Sequence, residues 1–166
     1  TNNAGKRIAN GKATEHTLYG FGDKLWEFLE KRGNTENKKA GYLWQTFAKA
    51  DEKVTLSGGV ANNVLVPFST ASKTSFTYDS ATEEYTRYAN GVMLKDYSTG
   101  ISTRVKNIFV LMTNISNYPD NYHRKIDLSS GTGYYITNGT YTPINWSKGN
   151  ASSSIKFTNT DGSTLK

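Results

Sequence analysis

Two short segments of the chain place a basic side chain two residues after an aromatic one. The segment YTRY puts Arg87 two positions after Tyr85, and the segment NWSKG puts Lys148 two positions after Trp146. On a β-strand, residues two apart point to the same face. A ring beside a cation suits sugars, which stack on the ring, and anionic groups, which bind the guanidinium or the ammonium. These four residues are the candidate ligand-binding surface. The alternative is a cross-strand cation–π pair and a buried tryptophan beneath a lysine that reaches solvent.

Paired carboxylates are the second candidate for chemistry. A glycoside hydrolase needs an acid and a partner carboxylate about 5 to 10 Å apart. Asp96 and Asp127 are the candidate acid pair in the part of the chain with strand patterns. Most acids of that part lie beside turns, where an aspartate commonly bonds its own backbone. A binding function without catalysis is therefore the primary hypothesis, and a carbohydrate-active hydrolase is the alternative.

Other chemistries lack the residues that they require. The chain has no cysteine, which excludes a thiolate nucleophile, a disulfide and a zinc knuckle. Its two histidines, His16 and His123, lie far apart, and no HExxH or GxSxG segment is present. We therefore expect no metal site, no cofactor and no serine-hydrolase chemistry.

The segment SSGTGYYITNG raises the question of a phosphate-binding loop, because Gly131 and Gly133 flank a threonine. Such a loop needs a helix directly behind it, whose N-terminus adds its field to the bare backbone N–H groups. Here the alternating segment YYIT and the turn pair Asn138-Gly139 follow instead. The two glycines are expected to mark a bulge or the tight start of a strand, where two backbones approach closely.

A two-residue alternation of apolar and polar residues dominates the chain after about residue 60. In KTSFTYD, Phe76 and Tyr78 share one face, and SIKFT repeats the pattern. The segment VKNIFVLM is apolar on both faces, which predicts a central strand covered twice, by the helix on one side. The pairs Asn90-Gly91 and Asp161-Gly162 tolerate the positive φ angles of tight hairpins. These patterns predict a strongly twisted antiparallel meander.

The strongest helical pattern lies in GFGDKLWEFLEKRGN, where Leu25, Phe28 and Leu29 share one face. It predicts a helix over residues 22 to 32. The change of pattern around LSGGVANN divides the chain into a helical lead-in segment, residues 1–53, and a β-rich domain, residues 54–166. The predicted fold class is α+β, with the twisted antiparallel sheet packed against the N-terminal helix.

The composition favours an ordered β-rich protein with a basic surface. Eleven tyrosines, seven phenylalanines and three tryptophans supply rings that suit half-exposed sheets. The formal net charge of +6 makes anionic partners worth considering. However, residues 1–53 and residues 54–166 each hold ten basic and seven acidic residues, and no ladder of aromatic and basic residues is present. A solvated surface therefore explains the charge better than nucleic-acid binding does.

The order of these motifs resembles the C-terminal domain of the YerB-like lipoproteins, a bacterial family without an assigned function. The matching motifs are Tyr78-Asp79, the Y-x-R of Tyr85, Asn90-Gly91, Asp96, and Asn107 at the start of an apolar strand. Further along, the match continues through the glycine pair, Asn138-Gly139, the W-x-K of Trp146 and Asp161-Gly162. The segment TEHTLYGFGDKLWEFLEKRG resembles the stretch that joins the family's first domain to this one. The resemblance covers nearly the whole chain, and its strength lies in the order of the motifs.

The resemblance implies an extracytoplasmic lipoprotein, with a lipid anchor and a first domain N-terminal to Thr1, so that the membrane is reached only through that anchor. It brings no catalytic residues. The expected function is a binding or interaction module whose partner is a cell-wall glycan, an anionic polymer, an envelope protein or its own N-terminal domain. A domain that only supports the first one is a further alternative. The family continues past Lys166 into another apolar strand, so a truncated chain would leave one sheet edge unpaired.

Overall fold

The computed structural model describes residues 5–35, 47–49, 51–150 and 153–165. The chain divides into two compact units, Thr1–Tyr42 and Leu43–Lys166. The division predicted between residues 53 and 54 stays a prediction, as does the packing of the N-terminal helix against the sheet.

The first unit contains a short antiparallel hairpin and the predicted helix. The helix lies within residues 22 to 32, has Asp23 in its first turn and is followed by Gly33 at a φ of 62°. A carboxylate near the N-terminus and a left-handed glycine after the C-terminus both favour a helix of this length. The elements are β1 (Gly5–Arg7), a 3-10 turn (Thr14–His16), β2 (Leu18–Gly20) and α1 (Gly22–Lys31).

The second unit begins with an antiparallel sheet, named the first sheet. Its strands follow one another as neighbours, except that both β6 and β7 pair with β5. The turn between β5 and β6 is Asn90-Gly91, with φ angles of 49° and 81°, as a tight hairpin of the predicted kind requires. The strands are β3 (Asn63–Pro67), β4 (Lys73–Asp79), β5 (Glu84–Ala89), β6 (Val92–Met93) and β7 (Arg104–Val105).

The chain then crosses at Lys106 into a second antiparallel sheet, in the spatial order β13-β12-β11-β8. A separate hairpin of β9 and β10 is inserted between β8 and β11. The strands are β8 (Asn107–Met112), β9 (Ile115–Asn117), β10 (Arg124–Ile126), β11 (Ser130–Thr137), β12 (Thr140–Ser147) and β13 (Lys156–Asn159).

The antiparallel, β-rich class predicted from the alternation is confirmed, with two corrections. The strands of the second unit form two larger sheets and a separate β9–β10 hairpin rather than one meander, because the chain changes sheets at Lys106. Strand β8 lies at the end of the second sheet and not at its centre. It is apolar on both faces because each face contributes to a different core cluster, Ile108 to one and Leu111 to the other.

The hydrophobic core consists of two clusters on opposite faces of the second sheet. The cluster between the two sheets is named the inner cluster and contains Ala61, Tyr85, Ile108 and Ile136. The cluster on the far face of the second sheet is named the outer cluster and contains Tyr135, Ile144, Trp146, Phe157 and Leu165.

The second sheet is strongly curved around the outer cluster. Phe109 of β8 stacks on Phe157 of β13 with ring centroids 4.3 Å apart, although β11 and β12 lie between these strands in the sheet. Neighbouring strands are about 4.8 Å apart, so a flat sheet would hold these two strands about 14 Å apart. The sheet must therefore curl, as the predicted strong twist requires.

Candidate functional site

Tyr85 is a structural residue of the inner cluster. Its side chain is 0% exposed, its hydroxyl donates to the backbone oxygen of Ala61 at 3.2 Å, and it accepts from the backbone N–H of Gly139 at 2.9 Å. Burial raises the pKa of the Tyr85 phenol, so the neutral hydroxyl makes both bonds at ordinary pH. The residue fastens the β11–β12 turn to the segment before β3, and its ring does not face solvent.

Trp146 is a structural residue of the outer cluster, where it is 2% exposed. Its indole N–H donates to the backbone oxygens of Thr132 at 3.0 Å and Met112 at 3.3 Å. A buried indole whose N–H is satisfied by backbone oxygens is bound in place and offers no free face to a sugar.

The two glycines of the sequence motif make room for this packing. Gly131 lies opposite Trp146, and Gly133 lies opposite Ile144, both within β11. A Cβ at Gly131 would lie 2.3 Å from the backbone oxygen of Met112 and 2.8 Å from the indole nitrogen. Only glycine permits this approach. The motif continues as a strand, so it lacks the helix that a phosphate loop needs.

The structure does not assemble the four predicted ligand-binding residues into one surface. Tyr85 and Trp146 lie in different core clusters and are buried, so neither ring contributes to the predicted ligand-binding surface, and for Trp146 the structure has the alternative of a buried tryptophan. Lys148 is held by its ammonium, which donates to the backbone oxygen of Ser153 at 2.7 Å. Arg87 shares the inward face of the first sheet with Tyr85 but is exposed.

The two predicted acids are each bound within their own loops. The carboxylate of Asp96 accepts from the N–H groups of Ser98 and Thr99 at 3.1 and 2.8 Å. The carboxylate of Asp127 accepts from the N–H and hydroxyl of Ser129 at 2.9 and 2.7 Å. These bonds hold the pKa of both carboxyls below the usual value. A glycosidase acid needs a raised pKa, so this geometry does not support the acid pair.

An open cleft of about 300 Å³ lies between the inward face of the first sheet and β8. The wall from the first sheet consists of Val66, Phe68, Thr74, Phe76 and Arg87, and the opposite wall consists of residues 108–111 of β8. The ring of Phe68 is 70% exposed, so the apolar wall is accessible from solvent. Clefts with apolar walls and few polar groups are the usual form of a binding site.

The lining of the cleft shows where it opens on β8. Alternate residues of a strand face opposite sides of the sheet, so Ile108 and Val110 face one way, and Phe109 and Leu111 the other. All four consecutive residues nevertheless line the same cleft. A cleft on one face of the sheet would be lined by alternate residues only. The cleft therefore runs along the outer edge of β8, on the side away from β11.

Arg87 gives the cleft its charge. Among the described residues that line the cleft, it is the one charged side chain. In the described parts of the chain, no carboxylate lies within 4.0 Å of its guanidinium. A guanidinium without a carboxylate partner, beside apolar walls, can bind an incoming carboxylate through two parallel hydrogen bonds.

The sequence pattern identified Arg87 but missed the rest of this site. Phe68 follows β3, and the role of β8 depends on its place at the end of a sheet. One signal was available, because the segment VKNIFVLM is apolar on both faces. This pattern predicted a strand at the centre of the sheet. The position of β8 at the edge depends on strand order, which the pattern does not reveal.

The fold and the cleft together define an antiparallel β-rich protein with two larger sheets and an open cleft beside β8. Residues 64–166 match the family described as protein of unknown function (DUF3048) C-terminal domain, and the chain belongs to this family. The resemblance to the C-terminal domain of the YerB-like lipoproteins is confirmed by this match and by the relative and the crystal structure described next.

The first relative, named putative lipoprotein YerB, comes from Bacillus subtilis (strain 168). It is 27% identical over 139 residues, which are 81% of this chain and 40% of that protein. The crystal structure of YerB protein from Bacillus subtilis matches with a TM-score of 0.64 at 21% identity, over 97% of this chain and 55% of that chain. The crystal structure shows a shared fold, and this chain spans only part of the length of YerB in either comparison. Within the described residues, no helix has the length and apolar character needed to cross a membrane.

Proposed function

We propose that this chain is a binding domain of an extracytoplasmic lipoprotein and that it holds a protein partner of the cell envelope in the cleft along β8. The observation that carries the proposal is the uncompensated guanidinium of Arg87 in an open apolar cleft. The relative described as a lipoprotein supports a location outside the cytoplasm.

A protein partner suits this cleft better than a cell-wall glycan does. Sugars bind to exposed aromatic faces surrounded by hydrogen-bonding side chains. The two rings predicted for that role, Tyr85 and Trp146, are buried. The cleft exposes the ring of Phe68, but its described lining offers only Thr74 and Arg87 as hydrogen-bonding side chains. The other lining residues are aliphatic or phenylalanine side chains, which match the apolar side chains of a polypeptide.

A selection from a random peptide library, displayed on phage, tests this proposal. Wild-type chain and the Arg87→Ala variant are used as parallel targets, and purified cell-wall sacculi serve as the glycan arm. We expect peptides with acidic and apolar residues to be enriched on the wild type. We expect Arg87→Ala to weaken their binding about tenfold, which is the usual effect of losing a charge-assisted hydrogen bond.

The matched control is Lys156→Ala, which removes one exposed positive charge from β13, at the other end of the second sheet. This variant should bind the selected peptides as the wild type does. Circular dichroism of both variants should show an intact fold. Sacculi that bind in an Arg87-dependent manner, with no peptide enriched, would replace the protein partner with a glycan.

A further inference from the structure

We infer that the partner binds as an extended acidic peptide that adds a strand to the outer edge of β8. This inference rests on the proposed function and specifies the backbone conformation and charge of the ligand. It follows from three features of the cleft, which are its open strand edge, its apolar wall and its single cation.

The open edge is the first feature. In the described part of the chain, β8 pairs only with β11 and ends the sheet. Along an antiparallel strand, alternate residues direct their N–H and C=O groups to opposite sides. Every second residue of β8 therefore directs both groups away from β11 and into the cleft, where an added strand can pair with them.

The two ends of the second sheet differ in this respect. At the other end, the N–H of Asn159 donates to Ser163 at 2.9 Å and Thr158 forms a bridge with Thr164, so the chain covers part of β13. Natural edge strands are usually protected by lysine, proline or a bulge. Strand β8 reads NIFVLM and contains neither a charged residue nor proline. An apolar edge without such protection favours pairing with another chain.

The apolar wall and the cation give the edge its selectivity. Val66, Phe68 and Phe76 stand opposite the edge of β8, and they can receive the side chains on one face of the added strand. Arg87 lies on the same wall and has no carboxylate partner among the described residues. An acidic side chain in the added strand would pair with it, and this pairing would set the register.

A pair of synthetic peptides of about eight residues tests the charge of the ligand. Both alternate valine with threonine, both have blocked termini, and they differ in a central glutamate or glutamine. Binding to the full chain is measured by fluorescence polarisation. We expect the glutamate peptide to bind about tenfold more tightly. Arg87→Gln should abolish this difference, and the control Lys156→Gln should leave it unchanged.

Backbone methylation tests the strand addition itself. N-methyl groups are placed on alternate amides of the glutamate peptide in two sets, which face opposite edges of the strand. One set should weaken binding at least about tenfold, and the other should leave it within about twofold. On binding, hydrogen exchange should slow at alternate amides of residues 108–111, because the intervening ones already pair with β11.

The possible failures are distinct. If neither these peptides nor the library yields an Arg87-dependent binder, the proposed function and this inference both fail. If binding depends on Arg87 but both methylated sets bind alike, the proposed function stands and strand addition is overturned. If the same amides become protected without peptide as the protein concentration rises, the edge belongs to a second copy of the chain and the inference is overturned.

Discussion

The outer cluster around Trp146 and the cleft beside Arg87 begin from the same kind of sequence motif, whose ring is buried in both and whose cation is bound to the backbone in one and exposed in the other. In each, a basic residue follows an aromatic residue by two positions; Arg87 lies within β5, and Lys148 directly follows the last residue of β12. The ring of Trp146 is buried over Gly131, and its N–H is satisfied by two backbone oxygens. Arg87 instead extends into an open cleft without a carboxylate partner in the described residues. The comparison teaches that a motif is structural where its polar atoms are satisfied inside the protein, and available for binding where they are not.

The largest effect on the free energy of unfolding is expected for Trp146→Ala, which would disrupt the packing of the outer cluster. It removes a buried ring and leaves the backbone oxygens of Thr132 and Met112 without their donor. We expect the free energy of unfolding to fall by about 3 to 5 kcal/mol. Urea denaturation measures this change.

The control is Trp26→Ala in α1, where the indole is 52% exposed. It should change the free energy of unfolding by less than about 1 kcal/mol. Equal effects of the two substitutions would mean that Trp146 is not the centre of a closed core.

A smaller effect is expected for Gly131→Ala, which tests the close approach under the indole. The added methyl group would lie 2.3 Å from the backbone oxygen of Met112, so the strand or the indole must move. We expect a loss of about 2 to 3 kcal/mol in urea denaturation. Gly22→Ala is the control, because a Cβ there meets no atom within 4 Å. A neutral result for Gly131→Ala would contradict the packing described for Trp146.

Tyr85→Phe is expected to lower the free energy of unfolding by about 2 kcal/mol, because it leaves the buried N–H of Gly139 without an acceptor. Since the pKa of Tyr85 is raised in the folded state, its contribution is present below about pH 10 and lost as the pH rises beyond the folded-state pKa. Urea denaturation at neutral and alkaline pH measures both effects. Tyr88→Phe, on the other face of β5, is the control. If the two variants are equally stable, the Tyr85 hydroxyl does not hold the turn.

The pKa values of Asp96 and Asp127 also test the comparison. If either residue were a catalytic acid, the functional site would lie in its loop and not in the cleft. The pKa values of Asp96 and Asp127 are lowered by hydrogen bonds within their loops. Their contribution to stability is therefore present above about pH 4, the unfolded value, and lost as the pH falls through the lower folded values. Carboxyl titration by NMR should place both below the ordinary value. A raised value at either residue would restore the hydrolase alternative.

The smallest effect on stability is expected for Arg87→Ala. Its guanidinium is exposed and makes no ion pair within the described residues, so the free energy of unfolding should change by no more than about 0.5 kcal/mol. The same variant should lose about tenfold in peptide binding. A large loss of stability in urea denaturation would make Arg87 a structural residue like Trp146 and remove the contrast between the two regions.

Much of the secondary structure could be predicted because its causes are local. The alternation in KTSFTYD produces β4, and the pairs Asn90-Gly91 and Asn138-Gly139 occupy hairpin turns with positive φ angles. The helical pattern in residues 22 to 32 produces α1. Alternation and turn chemistry act over a few residues, so a single sequence is sufficient to reveal them.

The candidate site could be predicted only in part, because it depends on contacts between distant residues. Period-two alternation put Tyr85 and Arg87 on one face of the strand. It could not show that the Tyr85 ring is buried against the β11–β12 turn, 54 residues away, while the Arg87 guanidinium is exposed. The apolar character of β8 predicted burial on both faces, and strand order alone made it an edge.

The sequence by itself determined that this chain forms antiparallel strands, tight turns and one amphipathic helix, and that it resembles a lipoprotein family. The tertiary structure alone decided which rings are buried, which strand ends a sheet and that Arg87 lies in a cleft without a carboxylate partner among the described residues. The physical reason is that conformational preference and side-chain periodicity are properties of neighbouring residues, whereas burial and hydrogen-bond satisfaction depend on which distant segments meet.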